Sequence, residues 1–171
     1  MFGFFKSKIK EKIISIGSPI KGKLISIKNV NDPTFAEEIL GKGFAVIPAE
    51  GRAVAPVDGI INIVFETKHA ISMTSNEGAE ILIHIGLDTV NLKGEHFTTF
   101  VQPEQSVKKG DLLLEFDMEA IKTAGYDVTT PIIICNPDSF KNIDIVAEKE
   151  VELNEEVMQL ILSWMSQMIM K

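Results

Sequence analysis

Two histidines carry the chemistry open to this chain. His84 sits in its least polar stretch, Ile81-Leu82-Ile83-His84-Ile85-Gly86, and His69 precedes it in Glu66-Thr67-Lys68-His69-Ala70-Ile71-Ser72-Met73. An imidazole inside so apolar a strand needs a hydrogen-bond partner or a reaction to perform. Between the two strands lies Ser75-Asn76-Glu77-Gly78, the composition of a tight turn. With these four residues as a hairpin loop, Thr74 faces Ala79 and His69 faces His84, as direct cross-strand neighbours on one face. A bulged three-residue loop would shift the register by one and undo this pairing.

Such a pair suits phosphoryl transfer. Neutral imidazole is a nucleophile near neutral pH without a separate activating base, and an N–P bond stays reactive enough to pass the group on. The transition state is loose, so the site supplies position and donors more than covalent help. In this reading His84 and His69 are the reacting pair, with His69 donating an N–H to the phosphoryl oxygens. Thr67, two residues before His69 on the same strand face, is placed to fix its tautomer. Gly86, two residues after His84, lets backbone approach closely, and its carbonyl can hold the second ring N–H of His84.

The rest of the chain must position these groups. At 171 residues it is long enough for one good core and a single domain. A net charge of −7 with no basic stripe argues against nucleic acid. The lone Cys135, in Pro131-Ile132-Ile133-Ile134-Cys135, reads as a buried small hydrophobe. No internal disulfide can form, which fits a reducing cytoplasm, and no run approaches a membrane span. Short apolar runs separated by Gly, Pro, Asn and Asp predict an all-β sandwich or barrel. They are Lys23–Ile27, Phe44–Ile47, Gly59–Phe65, Lys68–Thr74, Glu80–Ile85, Leu112–Phe116 and Ile132–Cys135. Short helical turns are expected at Asp32–Leu40 and Met118–Ala124.

The ends differ. Residues 1–14 carry four lysines against one glutamate, and as a helix Phe2, Phe5, Ile9 and Ile13 share a face. That pattern describes either an amphipathic segment in weak contact with an anionic membrane surface or a solvated tail. Val157–Leu162 reads equally as a last strand or as helix, and residues 163–171 form an extension of open structure. The expected division is a tail at 1–16, a domain at 17–162 and the extension. Met1 reads as a native start, so a free-standing protein is favoured over a cut-out domain.

Beyond these patterns, the chain resembles the glucose-type enzyme IIA of the bacterial phosphoenolpyruvate-dependent sugar phosphotransferase system. The likeness runs through Asp32-Pro33-Thr34-Phe35-Ala36-Glu37-Glu38, Ala55-Pro56-Val57-Asp58-Gly59, Thr67-Lys68-His69-Ala70, Glu80 to Gly94, Val107 to Phe116 and Thr130 to Asn136. Its most specific part is Ile83-His84-Ile85-Gly86-Leu87-Asp88-Thr89-Val90 with Leu92-Lys93-Gly94-Glu95. The resemblance implies an antiparallel β-sandwich and no cofactor. It makes His84 the phosphorylated residue, His69 its support and Thr67 the group that orients His69. The implied donor is the histidine-phosphorylated carrier protein, and the implied acceptor is the B domain of a sugar permease. The docking depression would be lined by Phe35, Phe65, Ile85 and Val90, with Asp32 and Asp88 at its rim. Unphosphorylated relatives bind transporters and enzymes, which adds regulatory partners to the expectation. His96 stands where relatives usually carry glycine and reads as a solvated loop residue.

Rival readings are a zinc hydrolase, a regulatory binding module and a lipoyl-type carrier. Neither Leu82 nor Gly86 completes a His-x-His zinc pair, though zinc bridging His69 and His84 to a partner's ligand stays open. Lys68, taken as lying within a strand, is poorly placed for lipoylation.

Overall fold

The computed structural model describes residues 11–163 and Met168. The basic and apolar segment 1–10 and most of the extension lie outside the described residues. The strands are β1 (Ile13–Gly17), β2 (Gly22–Ser26), β3 (Lys42–Pro48), β4 (Arg52–Val54), β5 (Gly59–Val64), β6 (Ala70–Ser75) and β7 (Glu80–His84). They continue as β8 (Phe97–Thr99), β9 (Ser106–Val107), β10 (Leu112–Phe116), β11 (Thr130–Ile134), β12 (Phe140–Ile145), β13 (Lys149–Val151) and β14 (Glu156–Leu162). Two short helices, α1 (Pro33–Ala36) and α2 (Met118–Thr123), fall inside the two predicted helical turns. No helix among the described residues is long and apolar enough to cross a membrane.

Every paired neighbour is antiparallel. An eight-stranded sheet runs β13-β2-β3-β11-β7-β6-β5-β9, and two three-stranded sheets run β1-β14-β12 and β4-β10-β8. The sandwich expectation holds; the sheets do not close into a barrel. One continuous core joins all three sheets, through Ile83 and Ile132 of the large sheet, Leu114 of one small sheet and Leu160 of the other. Strand periodicity explains the partition, since Ile81, Ile83 and Ile85 face this core while Leu82 and His84 face the opposite side.

That opposite side has a second, smaller core. Ile25, Ala45, Ile133 and Leu82 come from four adjacent strands, and Ile27, Val30, Phe35 and Leu87 pack over them. The segment between β2 and β3 thus lies on the outer face of the large sheet and carries Phe35 with it. Asp32 starts α1 by accepting from the Thr34 N–H at 3.0 Å, with Pro33 pre-set for the first helical position.

The strand β1 corrects the expected division. Ile13, assigned from the sequence to a tail, pairs with Ile161, and the Leu162 N–H donates to the Lys12 carbonyl at 3.0 Å. The sheet structure therefore includes residues ahead of 17, and Val157 to Leu162 lie in a strand. Cys135, expected to be buried, is exposed just past the end of β11. Its thiol pKa is nonetheless raised, first by desolvation and then by Glu80, which makes it a poor nucleophile.

Truncating Ile133 tests the role of the small core. Ile133→Ala should cost about 2–5 kcal/mol in urea unfolding. It should also shift the His84 ring resonances, because Phe35 loses the packing that holds it beside that ring. Unchanged His84 resonances in a destabilised variant would show that the small core does not position Phe35.

Candidate active site

The register of the β6–β7 hairpin differs from the expected one. Ala70, not His69, is paired with His84. The loop is three residues, Asn76-Glu77-Gly78, closed by the Ser75 N–H donating to the Ala79 carbonyl at 2.8 Å. Gly78 at φ +97° takes the left-handed position such a loop requires. This is the bulged alternative, and the direct cross-strand pairing of the histidines is overturned.

The rings meet all the same, by another route. The residues Glu66 to His69 form the turn between β5 and β6, with Lys68 at φ +57°. Neither Thr67 nor Lys68 lies in a strand. This turn interrupts the strand alternation just ahead of Ala70, while the His69 carbonyl still accepts from the Ile85 N–H at 2.7 Å. The His69 and His84 ring centroids lie 4.7 Å apart, edge to face at 85°. Phe35 stacks obliquely on His84 at 5.0 Å, and Phe65 meets His69 edge-on at 5.6 Å. Four rings thus form a row from Phe35 through the two imidazoles to Phe65.

The hydrogen bonds assign the nitrogens. His84 Nδ1 lies 2.8 Å from the Gly86 carbonyl oxygen. A carbonyl only accepts, so Nδ1 carries the proton and the Nε2 lone pair of the neutral ring is left for reaction. Gly86 sits at φ +75°, and a Cβ there would come within 2.6 Å of Thr89 Cγ2 and 2.8 Å of the Asp127 carbonyl. Both conformation and space therefore call for glycine. The Thr89 hydroxyl donates to the Ile85 carbonyl and the Leu87 N–H to the Asp127 carbonyl, so the loop after β7 is tied down on two sides. On the other imidazole, Thr67 Oγ1 lies 2.8 Å from His69 Nδ1. A hydroxyl that donates there leaves His69 Nε2–H as the free donor.

Burial sets the charge state. His69 is 3% exposed, and its pKa is lowered to about 4 by desolvation first and by the nearby His84 second, against a backbone hydrogen bond at Thr67. His84 is lowered too, by desolvation, against the Gly86 hydrogen bond and the carboxylates of Asp32 and Asp88. Both rings are neutral at pH 7, the state a nucleophilic imidazole requires.

The remaining sequence candidates divide. Phe65 and Val90 are exposed, at 37% and 47%, while Phe35 reaches the site as a buried wall against His84. Ile85 is 0% exposed and belongs to the main core, so it is not part of a docking face; strand alternation turns it inward beside His84. Asp32 caps α1, and Asp88 is an exposed residue at φ +58°. His96 is exposed at φ +76°, which explains why glycine suits its position. Among the described residues no group of three or more His, Cys, Asp or Glu is arranged to hold a metal ion. The histidine pair offers two ligands, so zinc there would need others from a second molecule. Asp127 carried no sequence signal, since it acts through its backbone carbonyl, and Thr89 was marked only as part of a matching segment, its packing on Gly86 being invisible there.

An antiparallel β-sandwich with two neutral, edge-to-face imidazoles beside an apolar face is the build of a histidine-centred group carrier. Residues 14–140 match the family described as phosphoenolpyruvate-dependent sugar phosphotransferase system, EIIA 1, and the chain belongs to it. It is 45% identical over 159 residues to a glucose-specific EIIA component of Oceanobacillus iheyensis, covering 92% of this chain and 96% of that one. It is 47% identical over 144 residues to a beta-glucoside-specific EIIBCA component of Dickeya chrysanthemi, covering 84% of this chain but only 23% of that larger protein. The solved glucose permease IIA from Mycoplasma capricolum superposes with a TM-score of 0.81 at 38% identity, covering 86% of this chain and 96% of that one. Membership makes the chain a phosphocarrier component of a sugar phosphotransferase system. The zinc-hydrolase and lipoyl readings are not favoured. Lys68 is in fact exposed in a turn, so it is the family match, and not a strand position, that sets lipoylation aside.

The depressed histidine pKa has a thermodynamic consequence. Below pH 6.5 the unfolded chain protonates His69, while the folded chain resists protonation down to about pH 4. Stability should therefore fall as pH drops through that window, by at most about 3 kcal/mol from this group. His69→Gln should flatten that part of a urea-unfolding pH series. A series unchanged by the substitution would show that His69 titrates normally in the fold.

Proposed function

We propose that His84 Nε2 accepts a phosphoryl group from the histidine-phosphorylated carrier protein and passes it to the B domain of a sugar permease. The observation that carries this reading is the 2.8 Å contact between His84 Nδ1 and the Gly86 carbonyl. It leaves one nitrogen with a free lone pair and holds the ring in one orientation. In the acceptance step the Nε2–P bond forms as the donor's N–P bond breaks, and no proton need leave His84. Handing the group on reverses the event toward the acceptor.

The surrounding residues have distinct parts. His69, with Thr67 donating to Nδ1, presents Nε2–H to the phosphoryl oxygens as a fixed donor in a water-poor site. Gly86 positions His84. Asp32 and Asp88, close enough to bias the His84 charge, place negative charge beside a phosphoryl dianion and so keep the phosphohistidine high in transfer potential. Phe65 and Val90 supply apolar docking surface, and Phe35 backs the His84 ring from beneath. A phosphoryl group would bring charge into this surface, so proteins that need it dry would bind only the unphosphorylated chain. The sugar is read by the permease, and a partner B domain is consistent with the EIIBCA relatives.

Intact mass after incubation with phosphoenolpyruvate, enzyme I and the carrier protein tests the assignment. One acid-labile phosphoryl group should appear on the chain and be absent from His84→Ala. His69→Gln should still be phosphorylated but pass the group on about 100-fold more slowly. Phosphorylation of His84→Ala at another histidine would reverse the assignment of roles.

A further inference from the structure

We propose that Thr89 is a positioning residue for the transfer. Its hydroxyl holds the Ile85 carbonyl, and through that peptide it aims the Gly86 carbonyl at His84 and selects the ring nitrogen that reacts. The proposal rests on the phosphocarrier reading above. It extends that reading to a side chain that is 0% exposed and so out of reach of any partner.

A glycine carbonyl keeps its aim only when something outside the glycine fixes it. Without a Cβ the backbone turns freely, so the Gly86 carbonyl stays on His84 only if the neighbouring peptide planes are held. Three successive planes here each carry one anchor. The Ile85 N–H donates to the His69 carbonyl at 2.7 Å, and the Ile85 carbonyl accepts from the Thr89 hydroxyl. The Leu87 N–H donates to the Asp127 carbonyl at 2.9 Å. The first and third anchors run backbone to backbone and do not depend on side-chain type. Of the three, only the middle one is a side chain, and it holds the plane that leads directly into Gly86.

Both branches of the threonine are used. A Cβ at Gly86 would lie 2.6 Å from Thr89 Cγ2 and 3.4 Å from Thr89 Oγ1. The methyl therefore closes over the glycine while the hydroxyl reaches past it to Ile85. Gly86 at φ +75° and Asp88 at φ +58° put two left-handed residues within three. The Asp88 side chain does not cap the turn that follows it, so the Thr89 hydroxyl is what ties this turn back to the strand.

The effect reaches the reaction through the tautomer. With the Gly86 carbonyl in place the ring proton stays on Nδ1, and Nε2 attacks phosphorus as the donor's N–P bond breaks. No proton leaves the ring, which becomes cationic, so the Nδ1–H bond to the carbonyl is charge-assisted in the product. Without the hydroxyl the plane before Gly86 turns and the ring proton divides between the two nitrogens. Rings protonated at Nε2 have no lone pair there and do not attack.

The test reads the His84 ring directly. Nitrogen-15 spectra of the whole chain should show His84 with a protonated Nδ1 and an unprotonated Nε2. Thr89→Val keeps the shape and removes the hydroxyl, so both ring nitrogens should shift toward the average of the two forms. The maximal rate of phosphorylation by the phosphorylated carrier protein should fall about tenfold, with the Michaelis constant for the carrier within about twofold of the parent's. Thr89→Ser restores the donor and should return the parent's nitrogen pattern. Thr89→Cys, of similar shape with only a weak donor, should behave as Thr89→Val does, and this second pair decides the matter if Thr89→Val fails to fold. Val157→Ala, in the sheet β1-β14-β12, removes buried packing far from the ring and should lower the unfolding temperature with an unchanged nitrogen pattern. A parent-like nitrogen pattern and a maximal rate within about twofold, in Thr89→Val and Thr89→Cys alike, would overturn the proposal. Failure of the unsubstituted chain to take any phosphoryl group would instead refute the phosphocarrier reading, and the ring nitrogens would still report on Thr89.

Discussion

One hydrogen bond organises the site: the Nδ1–H of His84 donated to the carbonyl of Gly86, two residues along the same chain. It converts a ring with two equivalent options into one with a single basic nitrogen. The bond exists because the backbone doubles back at φ +75°, and that conformation persists because Thr89 and the Asp127 carbonyl pack where a side chain would project. Reactivity is thus specified by backbone shape. The burial that keeps the ring neutral comes from elsewhere, from Phe35 and the small core beneath it.

The two histidines reach each other by a less regular route than a ladder. Sheet pairing alone places His69 opposite Ile85, whose side chain belongs to the core. A left-handed Lys68 in the turn before β6 breaks the alternation, and the His69 ring meets His84 edge-on. A positive φ in a non-glycine residue carries strain of order 1 kcal/mol or more. Thr67, in the same turn, gains from this arrangement, since its hydroxyl approaches His69 Nδ1 without strand geometry.

Much of this was legible in the residues because it depends on short-range pattern. The apolar runs mark seven of the strands, and Gly86 two residues after His84 signals a backbone contact on the imidazole. The register was not legible. Three- and four-residue loops share the composition Ser-Asn-Glu-Gly, and only the left-handed Gly78 separates them. The short strands β4, β8, β9 and β13 escaped because two or three residues carry no period. Ile85 was misassigned because the neighbours of a reactive residue in sequence point to the opposite side of a strand. Cys135 was misread because the apolar run before it ends one residue short of it.

The strands that open and close the body, β1 and β14, run side by side, with Lys12 bonded to Leu162. Among the described residues, the groups placed against the reactive pair belong to the large sheet or to its loops. The described body therefore starts and finishes in a sheet that does not carry the histidines. A unit built this way can be appended to a larger protein or stand by itself with the same chemistry. This accounts physically for one family in which closely similar sequences make up nearly all of one protein and less than a quarter of another.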